Sequence, residues 1–235
     1  MLLALDTATR QASVALYDER GVRAETSWYS ADNHTVELMP RVTELLAQQG
    51  VGPADLRGVV VTIGPGSFTG LRIGLSVAKG LAVGRGLPVL GTPTLDVLAQ
   101  AMLGQRLPVR AVLSIGRGRY CIADYRVGRE QWQRTSRDRL VQADEVIAGI
   151  RERTLFAGEM DDVLRGLVAS RLESSAVLPS PAFHLRRAGY LAELGWARLE
   201  RGERDDPATL APIYLHTQPL TATAAAPESV PEQTE

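Results

Sequence analysis

The chain has 235 residues, 45% of them apolar, and a formal net charge of −1 at pH 7. That length allows one large domain or two small ones, and near-neutrality excludes a global electrostatic pull toward nucleic acid or an anionic membrane. The single cysteine, Cys121, excludes an intramolecular disulfide and a cysteine zinc cluster, and its apolar-alternating surroundings suit a core residue better than a nucleophile.

The start, MLLALDTATR, has no basic n-region and too short an apolar run for a secretory leader. Nothing approaches the ~20 apolar residues of a membrane helix, so a cytoplasmic chain with no membrane contact is expected. Residues 1–6 read as a strand ending in Asp6-Thr7. Residues 13–17 and 22–29 read as two more, joined by a turn at 18–21, and complete a β-meander. Asp32 or Asn33 can cap a helix over 33–49. Pro40 lies inside it, and Val36, Met39, Val42, Leu45 and Leu46 are expected to form one stripe facing the core.

The run 59–63 is β-branched without polar alternation and predicts a strand buried on both faces. A turn through Gly64-Pro65-Gly66 leads into a helix over 69–84, capped by Ser67 or Thr69. Gly70, Gly74, Gly80 and Gly84 fall in this helix, and each interior glycine costs about 1 kcal/mol relative to alanine. Leu71, Leu75, Ala78 and Ala82 form one side; Ile73, Val77 and Leu81 form another. A helix apolar nearly all round is covered on more than one side. The ridge of Gly70, Gly74 and Ala78 would admit a second helix closely. The residues alone leave open whether that helix is 33–49 or a partner's.

A strand at 87–92 and a helix at 93–102 complete a first lobe. After residue 105 the order of elements repeats: strands at 109–115, 119–127 and 130–135, a helix at 143–150, a strand at 155–158, a helix at 161–172 and a short strand at 176–178. The expected organisation is a lobe over 1–104, a lobe over 105–217, and a disordered Thr/Ala/Pro/Glu tail over 218–235. The longest helix candidate, 181–202, is expected to pack back on the first lobe, and 213–215 is an apolar clip.

Two stretches are candidates for anion binding. In kinases and ATPases with an actin-like fold, an acidic residue and a Gly-Thr turn after the first strand hold metal and phosphate. Here Asp6 and Thr7 are followed by Ala8, whose side chain obstructs close backbone approach. The loop 64–70 precedes a helix start, which makes Asp6, Thr7, Gly64, Gly66, Ser67 and Thr69 a nucleotide or anion candidate set. No Walker lysine follows it, and a tight strand-to-helix joint is the default. His34, His184 and His216 lack the spacing of helical metal ligands. Ser67 has no nucleophile elbow and no evident base. Seven arginines over 117–139, interleaved with Tyr120, Tyr125 and Trp132, suit a solvated sheet face better than an RNA-binding hairpin.

The stretches LLALDTATRQASVAL, His34 with Leu38-Met39-Pro40, GPGSFTGLRIGLSVAKGLA, and Pro88-Val89-Leu90-Gly91 with Thr94-Leu95 resemble the TsaB (YeaZ) family of tRNA threonylcarbamoyladenosine biosynthesis proteins. The resemblance is dense over 1–99, thin from there to 202, and returns at 211–215. One departure is Ile115-Gly116-Arg117, where the family commonly opens its second lobe with Asp-Ala-Arg. The resemblance implies an α/β, actin-like (ASKHA, RNase H-like) two-lobe fold. It also implies a non-catalytic, activating role in making N6-threonylcarbamoyladenosine in tRNAs that read ANN codons. The implied partners are TsaD, the related transferase subunit, and TsaE, an ATPase; tRNA is reached through the complex. No cofactor or metal belongs to the chain itself, and ATP or ADP would sit at the complex. The helices that match the family's TsaD-pairing bundle are 33–49 and 69–84. Interface candidates on them are His34, Leu38, Val42, Gly70, Arg72, Ile73, Gly74, Val77, Ala78 and Leu81. The same helices suit a homodimer when TsaD is absent. The alternative is an ATP-dependent phosphotransferase of the same superfold, motivated by Asp6 and the 64–70 loop; a peptidase has no residue pattern behind it.

Overall fold

A computed structural model describes residues 1–31, 33–128 and 132–215; the expected tail over 218–235, Asp32 as a cap and His216 lie outside them. Strands β1 (Leu2–Asp6), β2 (Gln11–Asp18) and β3 (Gly21–Tyr29) form the antiparallel meander. Helix α1 (His34–Gln48) runs through Pro40 without a break. Strand β4 (Gly58–Gly64) pairs parallel with β1, and after α2 (Phe68–Arg85) strand β5 (Val89–Pro93) pairs parallel with β4. The sheet order is β3-β2-β1-β4-β5.

The central strands lack alternation because both faces are covered. Leu3, Leu5, Val59 and Val61 face α1 and α2, against Leu38, Val42, Leu45, Leu75 and Ala78. Leu2, Ala4, Ala15, Val60 and Leu90 face the opposite way, against Ala188, Leu191 and Ala192 of a later helix, α6 (Ala188–Glu200).

Helix α3 (Thr94–Gln100) leads to the second sheet. Its strands are β6 (Val109–Ser114), β7 (Arg119–Val127), β8 (Trp132–Arg134), β9 (Arg139–Gln142), β10 (Thr154–Glu159) and β11 (Ala176–Val177), with α4 (Ala143–Ile147) and α5 (Asp162–Leu172) between them. The order β11-β10-β6-β7-β8, with β9 also on β7, repeats the first sheet's topology: an antiparallel meander on one side and parallel strands on the other. Strand β9 is not foreseen from the sequence because four residues with two apolar ones show no period. The helix expected over 143–150 ends at Ile147, just before Gly149 at φ 75°.

The single helix expected over 181–202 is two elements. A 3₁₀ turn at Pro181–His184 is followed by an extended stretch through Leu185 and Arg187, and only then by α6. The cause is Arg186, whose side chain is wholly buried and ion-paired and whose carbonyl accepts a hydrogen bond from Ser13 Oγ at 3.1 Å. Those long-range bonds outweigh helix propensities of a few tenths of a kcal/mol per residue.

Cys121 lies fully buried on β7, and burial, with Asp138 nearby, pushes its thiol up from the ordinary range. It should remain unlabelled by a disulfide reagent at pH 8 while the chain is folded and react fully in denaturant, as followed by thiol titration. Among the described residues no helix is long and apolar enough to cross a membrane.

Candidate functional site

The carboxyl ends of β1 and β10 meet between the two sheets. Asp6 ends the first strand and Glu159 ends the second. Arg186 lies between them. Its Nε donates to Asp6 Oδ2 at 2.5 Å, its Nη1 to Glu159 Oε1, and its Nη2 to Gln11 O at 2.7 Å and Thr9 Oγ1 at 3.1 Å. Thr9 Oγ1 in turn donates to Glu159 Oε1 at 2.9 Å. Asp6 Oδ1 accepts from the Ala8 N–H at 3.0 Å and from Thr62 Oγ1 at 3.1 Å. The side chains of Arg186 and Asp6 are both 0% exposed. Burial by itself would lower the guanidinium pKa, but the Asp6 and Glu159 carboxylates outweigh it and hold the group above its ordinary value.

Beside this cluster is a cleft of about 500 Å³, with Gln11, Ser114, Glu159, Asp161, Arg165 and His184 in its lining. Burial lowers the His184 pKa, the Pro179 carbonyl at 3.0 Å opposes this, and the Arg165 guanidinium, with Nη1 2.9 Å from Nε2, adds to the lowering.

Of the six residues expected to hold an anion, Asp6, Thr7, Gly64, Gly66 and Ser67 lie at the joint between the first strand and α2 and bond or pack to their own chain, while Thr69 in the first turn of α2 is exposed. Ser67, not Thr69, caps α2, accepting the Gly70 N–H at 3.2 Å. The Ser67 N–H donates to Ala8 O at 2.6 Å. A Cβ at Gly66 would collide with Ala8 O, and one at Gly64, whose φ is 111°, would come within 2.8 Å of Ile213 O. Thr7 Oγ1 donates to Gly70 O at 2.7 Å. The glycines therefore make room for the strand end Thr7-Ala8 and for the C-terminal clip, and Asp6 is held by Arg186.

The small ridge on α2 points inward, contrary to its expected part in an interface. A Cβ added at Gly70 would collide with Thr7 O, and one at Gly74 with Thr7 Oγ1; Ala78 lies in the core. His34, Leu38 and Val42 of α1 are buried as well. Six of the ten interface candidates, His34, Leu38, Val42, Gly70, Gly74 and Ala78, are thus buried within their own chain. Ile73, Val77 and Leu81 are half-buried and Arg72 is exposed. The opposite side of α2 carries a second small stripe, Ser76, Gly80 and Gly84, all exposed. A Cβ at Gly80 or Gly84 would meet nothing within 4 Å. Val83 and Phe68 of α2, and Val36 and Met39 of α1, are exposed apolar side chains. The Arg72 guanidinium lies 3.7 Å from the Phe68 ring centroid, and its Nε donates to Tyr214 Oη at 2.9 Å.

The arginine-rich hairpin is a salt-bridged sheet face. Tyr120 and Tyr125 are buried, with their hydroxyls on Asp161 and Asp96, and neither ring is open for base stacking. Burial first, then Asp161, pushes the Tyr120 hydroxyl up to about 12. Arg126 pairs with Glu152, Arg134 with Asp96 and Asp138, and Arg139 with Asp124.

Two sheets of one topology, an antiparallel meander continued by parallel strands, meet across a cleft at their carboxyl ends. That arrangement defines an α/β protein of the actin-like (ASKHA, RNase H-like) class. A family model described as TsaD: tRNA N6-adenosine threonylcarbamoyltransferase matches residues 21–216. The chain is 30% identical over 217 residues to the tRNA threonylcarbamoyladenosine biosynthesis protein TsaB of Bacillus subtilis, a match covering 91% of this chain and 93% of that one. It is 36% identical over 137 residues to TsaB of Escherichia coli, where the match spans 58% of this chain and 55% of that one. The solved structure of YeaZ from Pseudomonas aeruginosa superimposes with a TM-score of 0.78 at 28% identity, covering 91% of this chain and 99% of that one. The chain belongs to the TsaB (YeaZ) family, within the wider group that the TsaD model describes.

Proposed function

We propose that the chain is a non-catalytic, activating subunit of the assembly that makes N6-threonylcarbamoyladenosine in tRNAs reading ANN codons. It pairs with TsaD through the exposed faces of α1 and α2, and TsaE joins the pair. The names of the relatives support the pathway. One observation carries the pairing: Gly80 and Gly84 lie inside an 18-residue helix with no neighbour for a Cβ to touch. Each weakens the helix by about 1 kcal/mol relative to alanine, and among the described residues nothing packs into the space that either leaves open. A partner helix packed close on the stripe gives them a use, and Val36, Met39, Phe68 and Val83 are exposed apolar side chains on the same two helices.

The buried Arg186 supports the non-catalytic reading. A phosphotransferase of this superfold needs the carboxylate at the end of the first strand to face its ligand, and here that carboxylate faces a guanidinium. On this reading tRNA, and ATP or ADP, are bound by the complex rather than by the chain alone. The same α1–α2 face serves a homodimer in the absence of TsaD.

Gly80→Leu tests the pairing. The added side chain projects into open space and relieves a helical glycine, so the melting temperature of the isolated chain should not fall and should rise by up to about 4 °C. Affinity for TsaD, measured by calorimetry, should fall about tenfold or more. An unchanged affinity rejects α2 as the pairing element. In reconstituted modification of tRNA, omission of this chain should strongly reduce product; a full rate with TsaD and TsaE alone rejects the activating role.

A further inference from the structure

We propose that Arg186 is an internal cation that latches the two lobes, so that closure of the cleft needs no ligand. The partners of the guanidinium are two carboxylates, a hydroxyl and a backbone carbonyl, from Asp6, Glu159, Thr9 and Gln11. That is a set of four oxygens around one buried cation. A planar guanidinium can meet it because its N–H groups fork in fixed directions toward several oxygens at once.

The placement in the chain makes the cluster a latch rather than one more ion pair. Residues 178–187 carry the chain from β11 on the second sheet to α6 on the first. The end of this crossing is pinned to the first lobe. The Arg186 carbonyl accepts from Ser13 Oγ, Arg187 Nε donates to Glu25 Oε2 at 2.9 Å, and the Gly189 N–H donates to Glu25 Oε1 at 2.8 Å. Glu159 is the second lobe's contribution to the cluster, and both Arg186 Nη1 and Thr9 Oγ1 converge on its Oε1. Opening the cleft at this point means drawing Glu159 away from Arg186 and Thr9. A ligand that touches both lobes closes such a cleft by favouring the closed state; an intramolecular guanidinium does the same continuously.

The test uses the full chain alone and does not depend on any partner. Glu159→Gln keeps the shape of the side chain and removes the charge at the second lobe's end of the latch. In hydrogen exchange read by mass spectrometry, amides of 154–159 and 178–187 should exchange about tenfold faster or more, with those of β1 and β4 unchanged. Small-angle scattering should give a larger radius of gyration. Wild-type exchange in both segments overturns the latch, and so does a uniform acceleration across both sheets, which would make the pair merely stabilising.

Discussion

Arg186→Met should lower the unfolding free energy by about 3–5 kcal/mol, the usual cost of removing one member of a buried ion pair. For a chain of this size that corresponds to a fall of about 6–20 °C in melting temperature. Methionine fills most of the volume but leaves the fully buried Asp6 carboxylate with only the Ala8 N–H and Thr62 Oγ1 as donors. Single domains are stable by about 5–15 kcal/mol in all, so this variant should be marginal at 37 °C. Arg186→Lys should fall between, because an ammonium cannot fork to Asp6, Glu159, Thr9 and Gln11 together. Asp6→Asn combined with Arg186→Met should be more stable than Arg186→Met alone, since the orphaned charge is gone. Urea denaturation measures all three. A loss below about 1 kcal/mol for Arg186→Met would place the pair in the range of exposed ion pairs and contradict its burial.

Gly74→Leu should destabilise the chain itself by about 0.5–3.5 kcal/mol, rather than merely separate it from a partner. Its Cβ would strike Thr7 Oγ1, which itself donates to Gly70 O, and Val61 Cγ2 stands 3.5 Å away. Overpacking costs about 1–3 kcal/mol, and loss of the Thr7 hydrogen bond about 0.5–1.5 kcal/mol more. The gain in helix propensity, at most about 1 kcal/mol, cannot offset both. The alanine pair isolates the sign. Gly74→Ala should destabilise through the same collision, whereas Gly80→Ala, with open space around it, should stabilise by about 0.5–1 kcal/mol. Thermal unfolding of the variants decides; equal shifts for Gly74→Ala and Gly80→Ala would show that the two faces of α2 are not distinguished by packing.

The contrast between those two glycines shows where sequence reading stops. Gly70, Gly74, Ala78 and Ala82 recur every four residues, and so do Ser76, Gly80 and Gly84. Both rows suit close approach, and periodicity cannot say which approach is to the chain's own strand end. The position of Thr7 and Ala8 decides it. His34, Leu38 and Val42 were misplaced for the same reason: they lie on the stripe of α1 that faces the sheet, and the solvent face is carried by Val36 and Met39.

The cluster of Asp6, Glu159 and Arg186 had no signal to follow. Arg186 is 180 residues from Asp6 and 27 from Glu159, and an Arg-Arg pair in an apolar, helix-compatible stretch reads as a helix surface. By itself the sequence determined what depends on neighbours in the chain: the unalternating central strands, a capped turn at 67–69 before α2, the meander opening each lobe, the repeat of the two lobes and, through GPGSFTGLRIG, the family. Those signals are local, because side-chain period, capping and turn chemistry act within a few residues. Only the tertiary structure decided which side of α2 is inner, where the 181–202 segment breaks, and that a guanidinium closes the cleft. In each case a contact between distant residues, worth kilocalories where local propensity is worth tenths, set the outcome.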